Sequence, residues 1–565
     1  MEIFLIYIFS LIFAFSTLGY GFLTSKFLKI RFNNIGLYGV LGLFLLSILS
    51  SYSHLLFPHN YIHNLFFIFF GLLFFYKIKE NKVDDIKIIF ITISLLFIFL
   101  IIAKNNEDFG YYHLPNSLQF SHFKLQFGLG NLNHGFKHIS SLFQLMSLTY
   151  LPFFEYYLFN IINFLFYVFF VIFLYQEIFS KKNINSNFSK IFLSLIIVLF
   201  ITKFSRLAEF GSDLSGQIII SIYLFFLIEA FLNKKLDINK KIQYLSLATT
   251  LLVFAITLKF ILVIYSLLIL VILISIDQKR KIILELLKIR LFFISFSALL
   301  IFILLNFSAT GCLIYPVEKL CFSKTFDWAL KDEVVKYLNL HYELWSKAGR
   351  NPNFVVENPA EYISGFNWIY NWFLEYFIGK FTDFLLVILI ILIIFSLFFV
   401  KNFNKSHSTI ILKNNFLILY ATSIIIFLIW LMNFPTLRYA GYIVTYLIFI
   451  LPFCFIIDKK VDFSKKENLK KIFIILIISY SIFLFKNISR IQSKINLEVN
   501  AHHNFLNFPF YWVKKQDSKK IEIDGYSLNL TNGSCWNVEP TCVRHTTNLR
   551  IKVKNNYVFY INEKK

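Results

Sequence analysis

Two acidic residues stand directly after an apolar run and before a cluster of aromatic and histidine side chains. Glu107 and Asp108 follow the run 86–103, and Tyr112 and His113 come next. A carboxylate at the end of a membrane helix can act as a general base on a hydroxyl, where a lipid-borne donor meets a water-borne acceptor. The alternative is that both acids only mark the helix end at the level of the lipid headgroups.

A second polar patch follows a half-apolar helix predicted at 117–126 and a glycine-containing turn. It contains Asn131, His134 and His138. Together with Tyr112 and His113, these side chains could contact a substrate, and histidine could exchange protons with it. We therefore treat residues 104–153 as the first long external loop and as the leading candidate for a substrate site.

Another acidic cluster, Glu209 and Asp213, lies in the segment 206–217. The two acidic sites could divide acid and base roles or share a divalent metal. No other cofactor is indicated, since the chain has no phosphate-binding loop and no HExxH metalloprotease motif. The alternative is that Ser212 or Asp213 only caps the helix that follows.

Two cations accompany the acids. Lys259 lies inside a 31-residue apolar stretch, and Arg438 follows Pro435 in a very short loop. Ionisable groups at membrane depth are candidates for function, and cations suit the phosphate of a lipid carrier. The alternative for Lys259 is that its ammonium group only reaches along the helix to the membrane surface.

The elements that must position these residues are membrane helices. Of the 565 residues 58% are apolar and 15% are charged, whereas soluble domains carry about 25% charged residues. The apolar residues form runs long enough to cross a bilayer, for example 3–23, 86–103, 381–400 and 416–432. The stretch 245–275 lies between basic segments, so we predict that it crosses twice and turns near Lys259. About 14 crossings result.

The formal charge of +23 comes from lysines and arginines in short loops, which predicts that those loops face the cytoplasm and excludes a nucleic-acid partner. The remaining segments then lie outside. We divide the chain into N-terminal membrane helices (1–103), the first long loop (104–153), central membrane helices (154–308), an external loop (309–380), C-terminal membrane helices (381–485) and an external tail (486–565). Alternating residues and two turn motifs predict a small β-rich unit in the tail.

Four of the five cysteines form two closely spaced pairs on the side predicted to be oxidising. Cys312 and Cys321 share one external loop, and Cys535 and Cys542 share the tail. Two local disulfides are the natural interpretation. The alternatives are reduced pairs or a metal site made from all four, although spacings of nine and seven do not fit a zinc knuckle.

The first long loop resembles that of the C-type (GT-C) membrane glycosyltransferases, in which an acid after a membrane helix is followed by tyrosine and histidine. The order of DFGYYHLP, GLGNLNHG, GCLIYPVEKLCF, PTLRYAGY and CWNVEPTC along the chain is most similar to a family of uncharacterised bacterial multi-span envelope proteins. The resemblance implies an all-α polytopic fold. It also implies Asp108 as catalytic base with Glu107 beside it, Glu209 or Asp213 as a second acidic site, and Arg438 as a ligand of the lipid phosphate.

The sequence therefore predicts an enzyme of the bacterial inner membrane with its long loops and C-terminus in the periplasm. It would move a sugar from a polyprenyl-phosphate carrier to a glycan, lipid or protein, with Arg438 and Lys259 holding the phosphate. One alternative is a polysaccharide polymerase or ligase that uses arginine together with His113, His134 and His138. A lipid or glycan transporter is the other, although no internal repeat is evident.

Overall fold

A computed structural model of the chain describes residues 2–78, 83–102, 108–179, 185–207, 212–399, 413–463, 465–495, 513, 516–544, 546 and 548–563. The predicted site residues Glu107 and Glu209 lie outside these ranges. Within them the chain is mostly helical, with a small β unit near its C-terminus.

The first half of the chain forms a bundle of long helices joined by short connections. In order they are α1 (Glu2–Leu28), α2 (Ile35–His54), α3 (Tyr61–Lys77), α4 (Val83–Ile101), α5 (Leu114–His122), α6 (Ser141–Ser147), α7 (Asn160–Phe179), α8 (Asn187–Lys203), α9 (Ser212–Leu232) and α10 (Ile238–Leu258). The short helices α5 and α6 belong to the first long loop, and the half-apolar helix of that loop covers 114–122 instead of the predicted 117–126.

The second half contributes more long helices and a group of short elements. These are α11 (Ser266–Ser275), α12 (Lys279–Lys288), α13 (Arg290–Thr310), α14 (Asp332–Ser346), α15 (Pro359–Ile363), α16 (Ile369–Trp372), α17 (Thr382–Phe399), α18 (Lys413–Asn433), α19 (Tyr442–Asp458) and α20 (Lys466–Ile495). The apolar helical run that contains α17 starts at Ile369, because α16 continues into it through a π-helical turn. Both this run and α20 extend beyond the predicted segment 381–485.

Ten helices of the described ranges are long and apolar enough to cross a membrane, and two shorter apolar helices accompany them, at Tyr61–Lys77 and Phe260–Ser275. This is the pattern of a multi-pass membrane protein. The helix α9 lies at the centre, since every one of its residues is buried. Apolar residues all round a helix are typical of such a central position.

The helices α9 and α10 form an antiparallel hairpin with a short connection, residues 233–237. Each has 21 residues, so the first turn of α9 and the last turn of α10 meet at the same end of the bundle. The helix α10 stops at Leu258, and Lys259 is extended before a 3-10 turn at Phe260–Tyr265. The chain thus breaks at Lys259, where the sequence predicts a turn.

The first long loop, α14 and the C-terminal strands lie together at this end of the bundle, which we call the loop-bearing end. A small hairpin, β1 (Arg350–Asn351) and β2 (Phe354–Val355), follows α14. In the tail, β3 (Lys519–Ile523), β4 (Tyr526–Leu530) and β5 (Cys542–Val543) form one sheet, and β6 (Leu549–Lys554) and β7 (Tyr557–Asn562) form a second. The predicted C-terminal β unit is therefore confirmed.

Two disulfides stabilise the loop-bearing end. Cys312 is bonded to Cys321 and Cys535 to Cys542. The second closes the motif that leads into β5, and Trp536 inside it packs on Gly110 of the first long loop. A methyl group on Gly110 would lie 2.0 Å from the Trp536 ring, and the Trp536 amide donates to the Gly110 carbonyl at 2.7 Å. The C-terminal unit is thereby fastened directly beside Asp108.

Candidate functional site

Four charged side chains from distant parts of the chain meet at the loop-bearing end. Arg438 Nη2 lies 2.6 Å from Asp108 Oδ2, and Arg438 Nε lies 2.7 Å from Asp213 Oδ2. Lys259 Nζ forms an ion pair with the other oxygen of Asp213 and donates to the Arg438 carbonyl at 3.2 Å. We call these four residues the ion network. Its formal charges balance, with two carboxylates and two cations.

The hairpin of α9 and α10 positions Asp213 and Lys259. Asp213 lies in the first turn of α9, where the helix dipole favours an anion, and Lys259 follows the last turn of α10, where it favours a cation. The Asp213 side chain retains 2% exposure and that of Lys259 18%. Asp213 therefore forms ion pairs with two cations, and Lys259 forms its ion pair inside the protein.

The loop that carries Arg438 is held in place through its backbone. Trp372 Nε1 donates to the Pro435 carbonyl at 2.7 Å and Trp430 Nε1 to the Thr436 carbonyl at 3.1 Å. The Leu437 amide donates to the Tyr376 hydroxyl at 2.7 Å. Trp372, the last residue of α16, thus helps to fix the loop that carries Arg438.

Just beyond Arg438 the backbone leaves the helical conformation. Ala440 has φ +68°, a left-handed conformation that costs a residue with a side chain about 1 kcal/mol or more. The Tyr265 hydroxyl compensates by donating to the Ala440 carbonyl at 2.5 Å. Strain of this kind persists where surrounding contacts determine it.

Asp108 begins a π-helical turn, Phe109–His113. Burial raises the pKa of the Asp108 carboxyl, but Arg438, His113 and Lys259 oppose this effect, so that the net pKa lies below its ordinary value. Asp108 is accordingly ionised at neutral pH. The His113 ring is buried, its Nε2 has no partner among the described residues, and burial lowers the pKa of His113 to about 3.

A cavity of about 560 Å³, which we call the cationic cavity, opens beside Arg438. Among the described residues that line it, six are basic and two are acidic, Glu375 and Asp383. The basic residues are Lys203, Arg206, Arg350, Lys380, Arg438 and Arg490. Lys203 ends α8, Asp383 lies in the first turn of α17, and Arg490 lies near the end of α20. The cavity therefore lies at the ends of apolar helices.

The other predicted loop residues form a separate cluster. The Tyr342 hydroxyl lies 3.1 Å from His134 Nε2, 3.2 Å from His138 Nε2 and 3.0 Å from the Tyr315 hydroxyl. Burial, reinforced by neighbouring cations, lowers the pKa of His138 to about 4, and both rings are neutral at pH 7. Tyr112 packs 5.2 Å from the His138 ring, which connects this cluster to the ion network.

Asn131 connects separate segments of the chain through hydrogen bonds. Its amide donates to the carbonyls of Trp328 at 2.8 Å and Tyr560 at 3.0 Å, so that it joins the first long loop to the external loop and the β unit.

Among the described residues no group of three or more histidine, cysteine or acidic side chains could hold a metal. The suggestion of a shared metal also involved Glu107 and Glu209, which lie outside the described ranges.

Sequence reasoning missed several residues at the site. Tyr265, Trp430 and Tyr376 look like ordinary aromatic residues of apolar segments, and only their partners show that they fix the loop of Arg438. Arg350 and Arg544 also went unnoticed, since isolated arginines in polar loops are common. No local pattern could have found them, because their neighbours in space are remote along the chain.

The chain belongs to the family described as Domain of unknown function (DUF8201), whose model matches residues 1–444. The matched region includes all four residues of the ion network and the Cys312–Cys321 disulfide, and it ends before the C-terminal β unit. No curated protein matches the chain, and no solved structure does.

Proposed function

We propose that this protein is a GT-C-type glycosyltransferase that moves a sugar from a polyprenyl-phosphate carrier to an envelope acceptor. The observation that carries the proposal is the contact of Arg438 with Asp108 at the edge of the cationic cavity. A carboxylate able to take a proton and a guanidinium able to hold a phosphate are thus one hydrogen bond apart. A glycosyltransferase needs both groups: the carboxylate where the acceptor forms a new bond to the sugar, and the guanidinium where the bond from the sugar to the phosphate breaks.

The donor phosphate would occupy the cationic cavity. The described walls of this cavity carry more cations than acids, which suits a phosphate or diphosphate, and arginine can bind phosphate oxygens through two parallel hydrogen bonds. The position of Lys203 and Arg490 at the ends of apolar helices supports a lipid-borne donor. Its hydrocarbon chain could remain in the membrane while the phosphate reaches these side chains.

The chemical step is a direct displacement at the anomeric carbon of the sugar. The acceptor oxygen forms a bond to this carbon while the bond from the carbon to the phosphate oxygen breaks, and that bond's electron pair stays with the phosphate. The acceptor proton goes to Asp108, and the configuration at the carbon inverts. Arg438 and Lys259 would stabilise the charge that develops on the leaving phosphate.

Arg438 would couple donor binding to the basicity of Asp108. With no donor bound, Arg438 opposes the effect of burial and keeps the pKa of Asp108 low, which makes Asp108 a weak base. A phosphate that shares Arg438 would weaken this ion pair, and the pKa of Asp108 would rise. The base would then be strongest when the donor is in place, which limits proton abstraction in its absence.

The polymerase or ligase alternative needs histidine to accept a proton. Burial lowers the pKa of His113 to about 3 and that of His138 to about 4, which makes both rings poor bases at neutral pH. This favours Asp108. The loop-bearing end would face the periplasm of the bacterial inner membrane, because it carries both disulfides, which persist on an oxidising side.

The test compares envelope glycans by mass spectrometry in a strain that lacks the protein and in strains that express its variants. Without the protein, one glycan should lack a sugar residue. The wild type and Asp383→Asn should restore it, and Asp108→Asn should not. Asp383 is the matched control because it is a carboxylate of the same cavity, 64% exposed and paired with Lys203.

With membranes and a labelled donor, Asp108→Asn should lower the transfer rate by about 10²–10⁴-fold, while Arg438→Gln should mainly weaken donor binding. An unchanged set of glycans in the strain without the protein would refute the transferase. Complete glycans that accumulate on the wrong side of the membrane would point to a transporter instead.

A further inference from the structure

We propose that a second cavity at the loop-bearing end binds an anionic sugar, as the acceptor of the transfer. This loop cavity has a volume of about 650 Å³, within the range of about 300–1,000 Å³ that is typical of small-molecule sites. Its walls come from the first long loop, from α14 and from the C-terminal β unit. The assignment as acceptor rests on the proposed function, whereas the binding of an anionic sugar does not.

The charges of the wall residues indicate that the ligand is an anion. Lys137, Arg350 and Arg544 line the loop cavity, and none of its described wall residues is an aspartate or glutamate. Cations enclosed in protein without a counter-charge are costly, and a bound anion would remove this cost. A neutral sugar would leave all three charges uncompensated, so a carboxylate or phosphate on the sugar is the complementary group.

The aromatic side chains of the same walls fit a sugar ring. Arg544 lies 5.6 Å from the centre of the Tyr111 ring and Arg350 lies 5.7 Å from that of Tyr337. A guanidinium stacked on a ring keeps its edge free for the paired hydrogen bonds that a carboxylate accepts. Apolar faces for the sugar and cationic edges for its acidic group therefore occur side by side.

Two polar atoms around this cavity have no partner within the described part of the chain. They are Arg544 Nε and His341 Nδ1, and both residues line the loop cavity. Buried polar atoms normally have hydrogen-bond partners. A saccharide with hydroxyl and carboxylate oxygens would supply both partners at once.

The loop cavity lies close to the ion network. Tyr111, one of its walls, is three residues after Asp108, and Arg350 lines both this cavity and the cationic cavity. A sugar in the loop cavity could thus present a hydroxyl toward Asp108 while the donor phosphate occupies the cationic cavity. This arrangement gives the two substrates of a transferase separate sites that share one wall.

The experiment measures binding to the purified full-length protein in lipid nanodiscs by saturation-transfer NMR. The probes are methyl β-D-glucuronide, glucose 6-phosphate, methyl β-D-glucoside and inorganic phosphate. We expect that one or both anionic sugars bind at least tenfold more tightly than the neutral glucoside and than inorganic phosphate. The stronger of the two identifies the acidic group as carboxylate or phosphate.

Arg544→Gln should weaken binding of the anionic sugar about tenfold, and Arg544→Lys should weaken it less. The matched control is Arg550→Gln, because Arg550 belongs to the same β unit but is 59% exposed and pairs with Glu563 at 2.9 Å. Lys137→Met is a second variant with an expected loss, in case Arg544→Gln does not fold.

Equal binding of the glucuronide, the phosphate sugar and the glucoside would overturn the proposal, and so would the absence of binding by any of them. Equal losses in Arg544→Gln and Arg550→Gln would also overturn it. If sugars bind as expected but no transfer is found, the proposed function fails while the anionic-sugar site stands.

Discussion

Removing single charges from the ion network should produce a specific pattern of stability. Asp213 accepts from both Lys259 and Arg438, and its side chain is 2% exposed. Asp213→Asn leaves two cations against one carboxylate, Asp108. A buried charge that loses its partner costs about 3–5 kcal/mol. Because Lys259 is 18% and Arg438 40% exposed, solvent reduces this cost, and we expect about 2–3 kcal/mol.

Lys259→Met should cost less, about 1–2 kcal/mol, because Arg438 still pairs with both carboxylates. The double variant Asp213→Asn with Lys259→Met removes one charge of each sign and leaves the Arg438–Asp108 pair intact. Its cost should therefore be smaller than the sum of the two single costs, by about 1–3 kcal/mol of coupling. This difference measures the ion pair itself.

The chain contains its own reporter for the measurement. It has five cysteines, four of which form the two disulfides, and the remaining one, Cys454, is buried in α19. A maleimide fluorophore should react with Cys454 only on unfolding. With an entropy of unfolding of about 2 cal/mol/K per residue, a loss of 3 kcal/mol should lower Tm by roughly 2–3 °C if the whole chain unfolds together.

The reasoning would be refuted by a double variant whose Tm falls by the sum of the two single decreases, because the side chains would then contribute independently. Asp383→Asn serves as the control. Asp383 pairs with Lys203 but is 64% exposed, and an exposed ion pair contributes about 0–1 kcal/mol. Its Tm should change by less than about 1 °C.

Two further predictions concern the loop-bearing end. Gly110→Ala should displace Trp536, because the added methyl group would lie 2.0 Å from its ring. Limited proteolysis should then release the C-terminal unit. The control is Gly379→Ala, which has nothing within 4 Å of the added group and should leave the cleavage pattern unchanged. Burial lowers the pKa of Lys137 to about 8, so Lys137 is charged at pH 7 and mostly neutral at pH 9. His134 and His341, whose pKa values burial lowers, stay neutral over this range. Binding of an anionic sugar should therefore weaken between pH 7 and pH 9 in the wild type. In Lys137→Met it should be independent of pH over that range. Binding by the wild type that strengthens from pH 7 to pH 9 would contradict the assignment.

Local patterns in the sequence determined the class of the protein and several of its elements. Long apolar runs predict membrane helices because only a helix satisfies its own backbone in a bilayer. Alternating residues around Asp524-Gly525 predict the hairpin of β3 and β4. The closely spaced cysteines and the chain break at Lys259 were likewise evident, since each depends on residues that are near one another along the chain.

The tertiary structure decided which of the candidate residues meet. Asp108 and Arg438 are 330 residues apart, and no spacing rule connects them. The packing of α9 against α10, the aromatic side chains that hold the loop of Arg438, and the docking of Trp536 on Gly110 together bring them into contact. The same packing places His134 and His138 around the Tyr342 hydroxyl and not in the ion network itself, and it encloses the loop cavity between three segments. Contacts of this kind depend on how whole helices pack, and a linear pattern does not contain that information.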